Sequence, residues 1–247
     1  MFLRIAIFAL SLLAWAPDFQ AQSQMVPMKL RPEARGPAVS QPVASPQCQS
    51  GVVYDDGMAE NGITFDVSML DMVQRFDGVG GLRVDQICIC WTRLPGLADI
   101  DFDLVFYRAD GPGGQPGTFI ASFPATAAGV PLFPDVGLFG IDLASFDLIL
   151  PPGDIYVGAF WMARSFDNMF LCTDEDGGGV QPIFASGDLG LNWSDVRLVD
   201  PSLDALMIRG DFTDPALASF EIPTLETLGL LTLALLLGAA ALWRLRS

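Results

Sequence analysis

Between Cys48 and Phe212 the apolar residues fall in short runs that alternate with Gly, Pro and Asp, and no stretch keeps a sustained period of 3.6. GGLRVDQICICWTRLPG, ADIDFDLVFYRADGPGGQPGTFIASFPA, ASFDLILPPGDIYVGAFWMA and SLDALMIRGDF each offer strands of about four to nine residues bounded by turn formers. Phe102, Leu104 and Phe106 alternate with Asp101, Asp103 and Val105, and Ile155, Val157, Ala159 and Trp161 repeat the same period of two. About nine to eleven strands are expected on this pattern. That number predicts an all-β fold, a two-sheet sandwich of jelly-roll type, over residues 48–212. ADGPGGQPG lies between two of the clearest strand candidates and reads as a hairpin loop; neither a Lys nor a helix follows, as a phosphate-binding loop would require.

The flanks follow other patterns. MFLRIAIFALSLLAWA has one early cation, Arg4, and then an apolar run too short to span a bilayer, so residues 1–23 read as a secretory signal peptide cut after Ser23. Residues 24–47 hold five prolines and few large apolar side chains, which predicts an extended flexible linker. After a tether at 213–221, Thr227–Trp243 is an uncharged run of 17 residues, about 25 Å at the helical rise and near the lower limit for a transmembrane helix. Arg244 and Arg246 follow it directly and, by the positive-inside rule, place the C-terminus in the cytoplasm and the acidic domain outside.

Export makes oxidised cysteines the expected state of Cys48, Cys88, Cys90 and Cys172. Cys88 and Cys90 are two apart on one strand and point to one face, where a bond between them would be badly strained. Cys48 and Cys172 are therefore each expected to bond one of the two. A zinc cluster lacks both the CxxC spacing and any His.

Composition narrows the chemistry. There are 13 Lys+Arg against 29 Asp+Glu, a net charge of −16, which argues against nucleic acid as a partner. From Cys48 to Phe212 there are 24 acids, 22 of them Asp, the acid that prefers turns. With no His, the Ser-His-Asp, Cys-His and HExxH mechanisms are excluded, and the place of the single Lys, Lys29 in the linker, argues against a Ser-Lys dyad. Carboxylate pairs such as Asp101 with Asp103, or Glu60 with Asp66, are what a glycan hydrolase would use, yet no spacing selects them, and no catalytic residue is assigned.

Calcium is the alternative use of the acids. VVYDDGMAEN places Asp55 and Asp56 near Glu60 and Asn61, and TDEDGGGV places Asp174, Glu175 and Asp176 before three glycines, offering hard oxygen ligands on flexible loops. Neither stretch fits an EF-hand, and Asp-Gly turns on a solvated face are the plainer reading, so no metal site is assigned. Among the aromatic residues, Trp91 and Trp161 sit in apolar strands, which leaves Trp193 as the ring expected to be most exposed and makes extracellular polysaccharide a candidate partner.

The C-terminal segment IPTLETLG, followed by the apolar run and a short basic end, resembles the IPTL type of C-terminal sorting domain, a relative of the PEP type carried by exosortase substrates. The resemblance covers residues 222–247. It carries over Ile222, Pro223, Thr224, Leu225 and Gly229 as the recognition motif, with Leu228 where the family usually has Trp. It implies an exported protein of a Gram-negative envelope, held in the inner membrane, processed by an exosortase-like transpeptidase and delivered to the cell surface or extracellular matrix. Pro223 agrees with this, because it favours an extended, accessible backbone just before the span. YDDG, CICW, the PGT hairpin and LMIRG also resemble the Asp- and Gly-rich two-sheet domains that accompany such tails, a likeness that implies no activity.

Overall fold

The computed structural model of the chain describes residues 51–65, 67–162, 168–177 and 179–218. The expected signal peptide, the expected linker with Cys48, Asp66, and the segment that resembles a sorting domain, with its apolar run and Arg244 and Arg246, lie outside the described residues. Among the described residues no helix is long and apolar enough to cross a membrane.

The strands are β1 (Asn61–Ile63), β2 (Leu70–Phe76), β3 (Arg83–Arg93), β4 (Ile100–Arg108), β5 (Phe119–Ala127), β6 (Gly137–Asp142), β7 (Ile155–Trp161), β8 (Met169–Asp174), β9 (Ile183–Ser186), β10 (Ser194–Asp195), β11 (Ala205–Leu206) and β12 (Ile208–Thr213). They form two antiparallel sheets. In the first, β3 pairs with β6, β8 and β12, and β8 pairs in turn with β1 and β11. The second runs β10-β9-β2-β7-β4-β5. The described residues form twelve strands against the nine to eleven expected; β1, β10 and β11 are ladders of two or three residues, too short to carry a period.

The period of two becomes the two faces of each sheet. Phe102, Leu104 and Phe106 of β4 and Ile155, Val157, Ala159 and Trp161 of β7 face inward, against Ile87, Ile89 and Trp91 of β3. Trp91 and Trp161 meet edge to face with ring centroids 5.1 Å apart, and Trp91 also touches Phe102 at 5.3 Å, so one indole joins the two sheets. ADGPGGQPG connects β4 to β5 as the hairpin the pattern predicts.

The even-numbered positions of β3 go the other way. Cys88 and Cys90 are both buried beneath the outer face of the first sheet, and Cys90 is bonded to Cys172 of β8. Cys88 is also disulfide-bonded; the bond is not to Cys90, and Cys48, the partner left for it by the spacing argument, lies outside the described residues. Val136, Leu138, Met207 and Ala59 pack around Cys90 and Cys172.

Gly158 of β7 sits opposite Val73 of β2 and Val105 of β4 in the middle of the second sheet. A Cβ there would run into the Met72 carbonyl oxygen, so the close approach of β7 to β2 requires glycine.

The Cys90–Cys172 bond closes a loop across 82 positions. Replacing both by alanine is expected to destabilise the domain by roughly 2–5 kcal/mol, read as a fall in the urea midpoint with a steeper slope, because the unfolded chain loses its cross-link.

Candidate cation site

β1 lies antiparallel to β8 with Asn61 opposite Thr173, and this register brings the two acidic segments of the sequence to one end of the first sheet. The Glu60 N–H donates to the Thr173 carbonyl at 3.1 Å, and the Glu175 N–H donates back to Glu60 Oε2 at 3.1 Å across 115 positions of sequence. The Asp56 N–H donates to Asp174 Oδ2 at 2.7 Å.

The acids at this corner separate into three groups. Asp55 is buried and forms an ion pair with Arg209 of β12, whose Nε donates to Asp55 Oδ2 at 3.1 Å while Nη2 donates to Oδ1. Asp174 is buried as well; besides the Asp56 N–H it accepts the Asp176 N–H at 2.9 Å, and a Cβ on Gly177 would collide with its carboxylate. Both are held by protein donors. Glu175 accepts from the Asn61 side-chain amide and, at 3.3 Å, from the Ser202 hydroxyl.

Asp56, Glu60 and Asp176 remain. Each offers an oxygen, and these oxygens lie within 4.8 Å of one another; Asp56 and Asp176 are exposed and Glu60 is half-buried. Of the calcium candidates in the sequence, the structure therefore brings Asp56 and Asp176 together with Glu60, and assigns Asp55, Asp174 and Glu175 to holding the loops.

The electrostatics follow from crowding acids at a partly buried corner. Burial, above all, pushes the Glu60 carboxyl up to about 7, with the Asp174 and Asp176 charges adding to the rise and the Glu175 N–H opposing it. Asp174 is also raised, first by burial and then by the Asp56 charge, against the N–H donors that favour its ionised form. Three carboxylates that repel one another around a solvent-facing point form a hard-oxygen donor set of the kind calcium takes, with water or main-chain oxygens completing the six to eight ligands typical of that ion.

Of the remaining sequence candidates, Asp101 and Asp103 line one hollow on the second sheet. Asp101 and Asp103 lie two apart on the outer face of β4, and Asp101 accepts a 2.7 Å hydrogen bond from the Thr126 hydroxyl of β5. Asp66, the proposed partner of Glu60, lies outside the described residues. Trp193, expected to be the exposed ring, is half-buried and packs edge to face on Tyr107 at 5.1 Å, because the loop that carries it folds back over the second sheet. Sequence reasoning missed Arg209: an isolated Arg on an inferred strand gives no sign of the carboxylate 154 positions away that it neutralises.

No protein-family model, curated protein or solved structure matches the chain.

Because folding raises the Glu60 pKa from 4.5 to about 7, its contribution to stability is complete below pH 4.5 and is lost as the pH rises through 7. Glu60→Gln keeps an oxygen for the Glu175 N–H and is expected to match the parent protein at pH 4 and to exceed it at pH 8, as thermal unfolding at the two pH values would show.

Proposed function

We propose that this chain is an exported bacterial cell-surface or extracellular-matrix protein with a non-enzymatic adhesive, structural or display role. In this reading the β-sandwich, which we take to be of jelly-roll type, is presented outside the cell. The C-terminal segment first holds the chain in the inner membrane and is then processed by an exosortase-like transpeptidase.

The observation that carries the reading is the buried Cys90–Cys172 bond, together with the oxidised state of Cys88 and the absence of any free cysteine among the described residues. Stable structural disulfides belong to oxidising compartments, where an exported domain resides. The signal-like N-terminus and the likeness of Ile222–Leu225 and Gly229 to a sorting motif, with Arg244 and Arg246 behind an apolar run, support the same route. The lack of His and the confinement of Lys to the linker remove the commonest nucleophile and base pairs, which favours a display role over catalysis.

A second reading, a calcium-binding module kept on the membrane by an uncleaved anchor, is favoured by one observation: the convergence of Asp56, Glu60 and Asp176 from two distant segments. The two readings share the fold. They differ in the fate of the tail and in the use of the acidic corner.

Intact-mass analysis of the C-terminal peptide tests the first. Mature protein from the native host is expected to end upstream of Thr227, whereas a host without the processing enzyme retains Arg244 and Arg246 in a membrane fraction. A complete tail on mature protein in its own host would favour the anchor. For the second reading, calcium at about 100 times its dissociation constant is expected to raise the Tm by about 5–10 °C, and Asp56→Asn/Asp176→Asn is expected to abolish the shift.

A further inference from the structure

The outer face of the second sheet carries a row that its inward-facing alternation does not explain. Asp71 of β2, Phe160 of β7 and Asp103 of β4 are in register across three neighbouring strands, so a ring is flanked by two carboxyl groups on one face. The Asp71 and Asp103 backbones are two strand spacings apart, about 10 Å.

On one side of this row lies a hollow of about 270 Å³, lined by Asp71, Asp103, Tyr107, Phe119, Phe160 and Leu189 among others. A second, of about 340 Å³, shares Asp103 and Phe160 with it and continues toward Asp101, Thr126 and Met162. Joined at the shared pair, the two make one groove over the sheet.

Asp71 is the unusual member. It is only 2% exposed; its Oδ2 accepts the Tyr107 hydroxyl at 3.2 Å, and its Oδ1 is buried with no hydrogen-bond partner. A buried acceptor without a donor is costly and uncommon in a folded protein, and here it belongs to the wall of an open groove. Tyr107 is fixed in turn by edge-to-face contacts with Trp193 at 5.1 Å and Phe119 at 5.5 Å, so the hydroxyl that orients Asp71 has little freedom. At the lip, Leu189 adopts a left-handed backbone with φ 62°, a conformation a bulky residue rarely takes, and it is exposed, as is Phe119.

We propose that this groove binds an extended neutral glycan, with one sugar ring seated on Phe160 between Asp71 and Asp103, whose carboxyl oxygens accept its hydroxyl groups. A pyranose has an apolar C–H face for the aromatic ring and hydroxyl donors around its rim for acceptors on either side, and a linear chain of such rings suits two hollows in series. No Lys or Arg lines either hollow, so an anionic polymer would meet only acids. Among the described residues the group of three carboxylates close enough to hold a metal is Asp56, Glu60 and Asp176, away from this groove. Burial pushes the Asp71 carboxyl up to about 7, with the Tyr107 hydroxyl opposing and the Asp103 and Asp188 charges assisting. A carboxyl that is part protonated near neutral pH both donates and accepts, which matches a hydroxyl; an ammonium group only donates.

The test is affinity electrophoresis of the full chain through gels containing dextran, mannan, xyloglucan or arabinogalactan, with alginate and chitosan as anionic and cationic controls, each run with and without EDTA. At least one neutral polymer is expected to retard the protein, equally with EDTA, which keeps the result separate from the cation site. Asp71→Asn and Phe160→Ala are each expected to weaken that retardation tenfold or more. If Asp71 served only the fold, Asp71→Asn would lower the urea midpoint; as a ligand-facing acid it leaves the midpoint unchanged or higher. Phe160→Ala carries the test if the first variant fails to fold. The proposal is overturned by retardation in none of the four neutral gels, by retardation in chitosan alone, or by binding that survives both substitutions.

Discussion

The structure depends on how β8 is held. It is the strand where the covalent, apolar and acidic parts of the domain meet, and its register decides where each one falls. Leu171 enters the core beneath Trp91, Cys172 turns outward to Cys90, and Asp174 ends the strand at the acidic corner. β1, β3 and β11 all pair with β8, and the Met207 N–H donates to the Cys172 carbonyl at 3.0 Å while the Cys90 N–H donates to the Met207 carbonyl at 3.1 Å. A slip of one residue would turn Cys172 into the core and Leu171 to the outside, so the disulfide and the apolar core specify the same register independently.

Much of this was legible in the sequence, and the limits have physical causes. Alternation in β4 and β7 predicts their faces because a half-buried strand must send successive side chains to opposite sides. CICW shows that Cys88 and Cys90 share a face for the same reason, and strain excludes a bond between them. Sequence distance hides the acidic corner. VVYDDGMAEN and TDEDGGGV each read as a turn with acids, and only the β1–β8 ladder, a long-range pairing, places Glu60 beside Asp176. The row of Asp71, Phe160 and Asp103 is hidden likewise, since it needs the order β2-β7-β4, which no local pattern encodes.

Buried polar groups mark where the alternation is broken deliberately. Gln74 sits on the inner face of β2, fully buried among apolar side chains, and its Oε1 accepts the Leu206 N–H at 2.6 Å. β11 thus has a donor satisfied by the opposite sheet, and the break ties the short strand to the core. The Asp55–Arg209 pair does similar work outside the first sheet, fixing the segment that passes over the disulfide. Breaking such a pair strands a buried charge, whereas an apolar replacement of both partners would be tolerated, so its value lies in placing the segment more than in net stability.

The outer faces of the two sheets are consequently used in different ways. Over the first, Ala59, Val136 and Leu138 pack on the Cys90–Cys172 bond and the Thr92 hydroxyl donates to the Asp135 carbonyl at 2.8 Å, so side chains there are closed against water. Over the second, the loop bearing Trp193 covers only one end, and the centre keeps an acid, a ring and an acid in line. A domain selected for stability alone would replace a buried carboxyl that lacks a donor, since an apolar residue of similar size at Asp71 would remove the cost of desolvating it. The same reasoning explains why Asp174, equally buried, differs from Asp71: its oxygens are met by main-chain N–H groups, so its burial is accounted for within the fold. Asp71 has one oxygen met by Tyr107 and one buried without a donor from the protein, at the wall of the groove where the proposed sugar hydroxyl would supply one.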